Sequence, residues 1–193
     1  IAGLSIDERL TIANMTTEWG ALAGVFPLDN ITIQWLRNRT AFISKRGLEN
    51  VPSDTDNKNG IHPRLNEDRI NELEKNPLTA NEGAFYTKEI SLNLNSITPH
   101  ISGPNHVKTM TSLHDAVGKN IKIDKAYLVS CVNSRVEDLA EAAKAIKGQQ
   151  VASGVEFYIA AASNEVQAES ESRGDWETLV DAGATPLPPG CGP

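Results

Sequence analysis

Ile123-Asp124-Lys125-Ala126-Tyr127-Leu128-Val129-Ser130, then Cys131-Val132-Asn133, then Ser134-Arg135-Val136-Glu137, is the stretch that decides the fold. Its first eight residues have the length and apolar content of a largely buried strand. Ser134 and Glu137 stand at capping-box spacing and open a helix whose apolar stripe is Leu139, Ala142, Ala143 and Ile146, with Gly148 as its stop. Residues 155–161 (Val-Glu-Phe-Tyr-Ile-Ala-Ala) repeat the strand pattern, and Asn164-Glu165-Val166-Gln167 caps the next helix. A helix over 176–182 continues or restarts after Gly174 and stops at Gly183. Strand, helix, strand, helix at these lengths is a βαβ unit. It predicts an α/β fold with mainly parallel sheets in three layers.

Upstream the signals are local. Ser5-Ile6-Asp7-Glu8 is another capping box, and the pattern predicts a helix over 6–23, weakened toward Gly20 and Gly24. A second, short helix is expected after Asp29, with Ile31, Trp35 and Leu36 on one side. Residues 50–63 hold Pro52, Ser53, Asp54, Asp56, Asn57, Lys58, Asn59, Gly60 and Pro63, too polar to repay ordering, and read as a linker. Residues 66–75 read as a solvated helix ending before Pro77, and the alternation from Tyr86 to Leu92 reads as a strand.

The chain has 193 residues, 39% of them hydrophobic and 22% charged, which is ample for a buried core. Two cysteines are too few for a disulfide framework. No run approaches the roughly 18 apolar residues of a membrane span. With 18 Lys and Arg against 25 Asp and Glu, a net charge of −7 and no basic stripe, nucleic acid and membrane are not expected partners. The chain opens at Ile1 rather than Met and closes on Pro188-Pro189-Gly190-Cys191-Gly192-Pro193, so it is expected to be a piece of a larger enzyme.

Four residues carry candidate chemistry. Cys131 follows a predicted strand and precedes a helix cap, where open α/β sheets collect ligands and a helix N-terminus favours a thiolate or an anionic cofactor. An inert, buried cysteine is the bland alternative. Cys191 lies among glycines and prolines that let backbone approach a bulky inorganic group. Iron–sulfur clusters take cysteines in sets of three or four, and here the chain has two. Asn14 and Glu18, four apart on the first predicted helix, share a face that either holds an acid or base beside an amide or simply meets water. His100, in Pro99-His100-Ile101-Ser102-Gly103-Pro104, sits in a rigid loop. His62, His106 and His114 show no zinc-site spacing.

Ser130-Cys131-Val132-Asn133-Ser134-Arg135, with Glu137-Asp138-Leu139, resembles the S-C-T-N-S-R-x-E-D-L segment of the aconitase superfamily, most closely its homoaconitate hydratase branch. Cys191-Gly192-Pro193 is similar to the start of the family's C-G-P-C, 60 positions after Cys131. Asn14-Met15-Thr16-Thr17-Glu18-Trp19-Gly20 is similar to its N-M-x-x-E-x-G segment, and residues 99–104 to its P-H-I-N-G-P loop. The four blocks occur in the family's order. Val132 stands where many relatives have Thr, and Ser102 replaces an Asn; neither is a ligand position.

The resemblance implies a hydro-lyase of lysine biosynthesis with a [4Fe–4S] cluster held by three cysteines, whose uncoordinated iron acts as a Lewis acid on the substrate. It makes Cys131 and Cys191 the first and second ligands and places the third just beyond Pro193. It makes Glu18 and Asn14 active-site residues, Glu18 assisting protonation of the iron-bound water and Asn14 hydrogen-bonding around substrate or cluster. Its substrate is a small tricarboxylate, with isopropylmalate and aconitate as the family's alternatives, and its other partner is the remaining domains of the parent enzyme, which must supply the base and the cations that the net charge of −7 withholds. By the same resemblance the location is mitochondrial in a eukaryote and cytoplasmic in a bacterium. The expected architecture is the end of one domain over 1–75, a linker over 76–83, and most of a second domain over 84–193, with a cleft between them. For the chain alone, two other readings stand beside catalysis: a non-catalytic scaffold, and a cluster-free interaction module.

Overall fold

Asp29 and Arg9 meet as a fork on a fork. The computed structural model describes residues 2–48 and 61–192, so most of the linker expected over 50–63 lies outside the described residues. The chain divides into two units, Ile1–Ala13 with Ala23–Leu94, and Asn14–Leu22 with Asn95–Pro193. No helix among the described residues is long and apolar enough to cross a membrane.

In the first unit, helix α1 (Ile6–Asn14) starts on the Ser5–Glu8 capping box: the Glu8 N–H donates to Ser5 Oγ and the Ser5 N–H to Glu8 Oε2. Helix α2 (Asn30–Arg46) is longer than expected, capped by the Asp29 carboxylate, which accepts the Thr32 N–H at 3.0 Å. Arg9, 4% exposed, donates from both terminal nitrogens to both Asp29 oxygens at 2.8 and 2.7 Å, and to the Leu4 carbonyl and Thr32 Oγ1. One guanidinium therefore ties α1 to the cap of α2 in the bidentate geometry that carboxylates favour. The buried residues of α2 are Ile33, Thr40 and Ile43, with Trp35 and Leu36 half-buried and Ile31 exposed. Helix α3 (Glu67–Lys75) is capped by Asn66 and buries Ile70; Arg37 of α2 reaches its Glu67, Asn71 and Glu74.

The strand expected over 86–92 does not form. Phe85, Tyr86, Ile90 and Leu92 are all exposed in irregular backbone. Alternation specifies a strand only where a neighbour completes the ladder, and no partner pairs with this segment among the described residues.

The second unit begins with a hairpin that the sequence did not signal. Strand β1 (His100–Ser102) pairs antiparallel with β2 (Met110–Ser112), and Ser112 caps the short helix α4 (Leu113–Val117). The βαβ reading holds from there on. Strand β3 (Lys125–Leu128) runs parallel to β4 (Glu156–Ile159), which runs parallel to β5 (Thr185–Pro186), in the order β3-β4-β5. Helix α5 (Val136–Ile146) makes the first crossover, and α6 (Asn164–Arg173) with α7 (Asp175–Asp181) the second, jointed at Gly174 with φ 78°. Leu139, Ala143, Ile159, Ala161, Trp176, Leu179 and Ala184 form the core between sheet and helices.

Three local expectations are corrected. Ser134 does not cap α5: its side chain is buried, and the Arg135 N–H is taken by Asp138 at 3.0 Å instead. Helix α6 is capped one residue earlier than expected, by Ser163. Strand β3 is half-buried rather than largely buried. Lys125 and Tyr127 alternate outward with Ala126 and Leu128 inward, and the outer face carries Tyr127 stacked on Tyr158 at 5.2 Å and Lys125 paired with Glu156 at 3.0 Å.

Arg9 beside Asp29 holds the Asp29 carboxyl well below the usual carboxylate range. A group depressed in the folded state contributes stability that is complete above its unfolded pKa, about 3.9, and is lost as pH falls below that value. Asp29→Asn is therefore expected to lower the thermal midpoint at pH 7, and the gap from the unsubstituted chain should close as the melts are repeated from pH 4 downward. A gap that stays constant across that range would rule out the ion pair as its source.

Candidate metal centre

Ile159 is the last paired residue of β4, and Ala160, Ala161 and Ala162 follow it at the sheet's carboxyl end. Two loops are bound to this backbone. From the β3 side, the Ala160 N–H donates to the Leu128 carbonyl at 3.0 Å and the Ala162 N–H to the Ser134 carbonyl at 2.9 Å. From the β5 side, Leu187 N–H donates to the Ile159 carbonyl and Gly190 N–H to the Ala161 carbonyl, each at 2.8 Å. Cys131 and Cys191 ride on these loops, and their Sγ atoms lie 3.8 Å apart.

The loop after β3 is tightly wound. Ser130 has φ 127°, a conformation that costs a non-glycine residue energy and persists only where surrounding contacts impose it. Its hydroxyl accepts the Val132 N–H at 3.1 Å, and its carbonyl accepts the Ser134 N–H at 3.2 Å. The loop after β5 comes close enough that only glycine fits at 192. With φ 97°, a Cβ there would lie 3.0 Å from Val129 Cβ and Cγ2. Gly192 thus packs on the residue that precedes Ser130, two strands away in the sheet.

Both cysteines are free and exposed, so the inert buried alternative for Cys131 does not hold. The neighbouring Cys191 thiol, followed by partial burial, pushes the Cys131 thiol up from its ordinary value. Two convergent thiols at the carboxyl ends of parallel strands, on a cradle that a Cβ would fill, fit a group bound through sulfur. Among the described residues no group of three or more His, Cys, Asp or Glu side chains could hold a metal ion.

The other two candidate residues lie in the same unit, in Asn14–Leu22, on a segment different from the one expected. Helix α1 ends at Asn14 and gives way to a 3-10 turn, Met15–Trp19, closed by Gly20 at φ 83°, so the helix predicted over 6–23 stops short. Asn14 and Glu18 therefore do not share an α-helical face. They are linked by Thr17, whose hydroxyl lies 2.8 Å from the Asn14 carbonyl and 3.0 Å from Glu18 Oε2. His100 is held through Nδ1, 2.6 Å from the Thr98 carbonyl. The close approach read from the glycines and prolines around Cys191 is seen at Gly192, whereas its neighbour Val129 and the backbone of 160–162 were not singled out by sequence reasoning.

Two reduced, exposed thiols are expected to take two equivalents of an alkylating reagent. Cys191→Ala should lower the Cys131 pKa toward its ordinary value and speed Cys131 alkylation at neutral pH; an unchanged rate would show that the two thiols do not interact. Peroxide, accepting two electrons and both thiol protons as it becomes water, should link Cys131 to Cys191 in a non-reducing digest. Gly192→Ala should lower that yield by forcing the two loops apart.

The model of the aconitase family (aconitate hydratase) matches residues 1–193. The chain is 53% identical over 197 residues to a protein of Mycosarcoma maydis named "Homoaconitase, mitochondrial", covering all of this chain and 26% of that protein. It is 54% identical over 192 residues to a protein of the same name from Cryptococcus neoformans var. neoformans serotype D, and 49% identical over 193 residues to one from Debaryomyces hansenii, again covering 26% of each. It thus spans about a quarter of the length of these curated relatives. A family match running from the first residue to the last, over a sheet that brings two distant cysteines together, makes this chain a member of the aconitase family.

Proposed function

We propose that the protein to which these 193 residues belong is an iron–sulfur hydro-lyase, a homoaconitate hydratase interconverting cis-homoaconitate and homoisocitrate in lysine biosynthesis. The observation that carries this reading is the approach of Cys131 Sγ and Cys191 Sγ to 3.8 Å across a parallel sheet, in a chain about 50% identical to relatives named homoaconitase. The relatives' names carry the word mitochondrial, and that compartment is proposed with the activity.

In this reading Cys131 and Cys191 are two of the sulfur ligands, and the remaining donor comes from the protein outside this chain. When bound, a [4Fe–4S] cluster supplies a Lewis-acidic iron for the loss and addition of water. The chain's own contribution is to position and to move protons. The loops after β3 and β5 hold the two sulfurs without further reorganisation, because their backbone is already tied to residues 159–162. Glu18 passes a proton to and from the departing or entering water, and Asn14 donates its side-chain amide to a substrate oxygen. The substrate's three carboxylates require cations from elsewhere in the protein, since the chain carries a net charge of −7. The 193 residues alone are a scaffold without the base and without the full ligand set. The domain assignment of 1–75 and 84–193, joined by a linker over 76–83, is kept as part of the proposal.

The family's own description, aconitate hydratase, favours a second substrate, cis-aconitate, one methylene shorter. A full-length preparation reconstituted with iron and sulfide without oxygen, followed by the absorbance of the unsaturated acid, separates the two. Turnover of cis-homoaconitate over cis-aconitate and isopropylmalate is expected. Preference for either of the others would overturn the substrate assignment. Cys131→Ser should abolish both the cluster's visible absorbance and turnover, and full activity in that variant would favour the cluster-free module. Glu18→Gln should lower kcat by about 10²- to 10⁴-fold.

A further inference from the structure

The family pattern leaves open the two places before Glu18, and in this chain both are threonines. They do different things. Thr16 is buried, and its carbonyl accepts the Ala21 N–H at 3.0 Å, so it anchors the turn. The Gly20 N–H donates to the carbonyls of both Thr16 and Thr17, closing the turn behind Glu18. The backbone on either side of Glu18 is thereby fixed, and its remaining freedom lies in its side-chain torsions.

Thr17 acts on that freedom. Its Oγ1 sits between the Asn14 carbonyl and Glu18 Oε2, at 2.8 and 3.0 Å. A threonine hydroxyl has one proton and two lone pairs, and its β-branched side chain is stiff at χ1. With Glu18 protonated, Glu18 donates to Thr17 Oγ1 and Thr17 donates to the Asn14 carbonyl. With Glu18 ionised, Thr17 turns its proton to Glu18 Oε2. The same two oxygens stay hydrogen-bonded in both states, with the Asn14 carbonyl giving up the Thr17 proton when Glu18 is ionised, so the carboxyl keeps its place while its own proton comes and goes.

We propose that Thr17 is a positioning residue for Glu18, holding its carboxyl in one orientation through the proton transfer; this rests on the reading of Glu18 as the acid and base. The enzyme carries out that transfer in both directions of a reversible hydration, where a carboxyl that swung away between states would have to be recaptured at each turnover.

The test uses the full-length, cluster-reconstituted enzyme. Thr17→Val keeps the shape and removes the hydroxyl, and Thr17→Ser keeps the hydroxyl. Thr17→Val is expected to lower kcat by about three- to thirtyfold with KM within about twofold, the scale of one hydrogen bond to a polar or charged group. Thr17→Ser is expected to recover kcat to within about twofold of the parent. In the Glu18→Gln background, adding Thr17→Val should cost nothing further, because Thr17 acts through the carboxyl. Unchanged kcat in Thr17→Val, beside a Glu18→Gln enzyme that has lost activity, would overturn the proposal and leave the Glu18 assignment standing. Full activity in Glu18→Gln would remove that assignment and the proposal with it. Equal losses in Thr17→Val and Thr17→Ser, or a further loss in the double variant, would mark Thr17 as a packing residue and overturn the proposal as well. If Thr17→Val alone fails to retain the cluster, Thr17→Ala, which also removes the hydroxyl, supplies the same comparison alone and in the Glu18→Gln background.

Discussion

Four backbone hydrogen bonds to residues 159–162 hold the cysteine site together. Leu128 and Ser134 offer carbonyls from one side, and Leu187 and Gly190 offer N–H groups from the other. The backbone that follows the last paired residue of β4 still needs partners for its N–H and C=O groups. The loops that supply them carry Cys131 and Cys191. With both loops tied to the same backbone, cysteines 60 positions apart bring their sulfurs to 3.8 Å.

The sheet beneath this site is covered unevenly. Helices α5, α6 and α7 share one layer, with Leu139, Trp176 and Leu179 packed against Ile159 and Ala161. Parallel sheets are ordinarily buried on both faces, and strands in them read as continuous apolar runs. Here the outer face of β3 and β4 is a set of registered pairs instead, Lys125 opposite Glu156 and Tyr127 opposite Tyr158. Stacking covers one ring with the other, while the Tyr158 hydroxyl donates to Glu156 at 2.5 Å and Lys125 meets the same carboxylate oxygen. Glu156 consequently titrates below its ordinary value and Tyr158 and Lys125 above theirs, each favoured in the state that keeps the network joined. Cross-strand pairs of this kind stabilise an uncovered face without presenting a continuous apolar surface.

What was legible in the sequence was local and periodic. The Ser5–Glu8 box, the Asp29 cap and the glycines after α5 and α7 involve partners a few residues away, and each appears where it was read. The misreadings arose where a local signal had a tertiary competitor. Ser134 has the right spacing for a cap, yet its position between the β3 loop and α5 buries it, and Asp138 takes the backbone N–H instead. Tyr86 to Leu92 alternate, but alternation describes one half of a ladder. The β1–β2 hairpin has three residues in each strand, too few for a period to show. The cysteine pairing depends on strand order and on loop length after β5, neither of which leaves a mark near either cysteine.

The candidate groups share one placement. Each sits just beyond the end of a regular element, on backbone held in a conformation that the element itself would not adopt: Cys131 after Ser130 at φ 127°, Cys191 between Gly190 at 149° and Gly192 at 97°, and Glu18 two residues before Gly20 at 83°. A helix or strand fixes direction but spends its polar groups on itself, whereas a free loop keeps those groups and gives up position. A turn closed by a residue at positive φ and tied down by backbone hydrogen bonds does both, leaving a side chain outside the ladder on a defined backbone. The glycines meet the conformational demand without a Cβ. Ser130 meets it at a cost, and its hydroxyl and carbonyl return part of that cost by accepting the N–H groups of Val132 and Ser134.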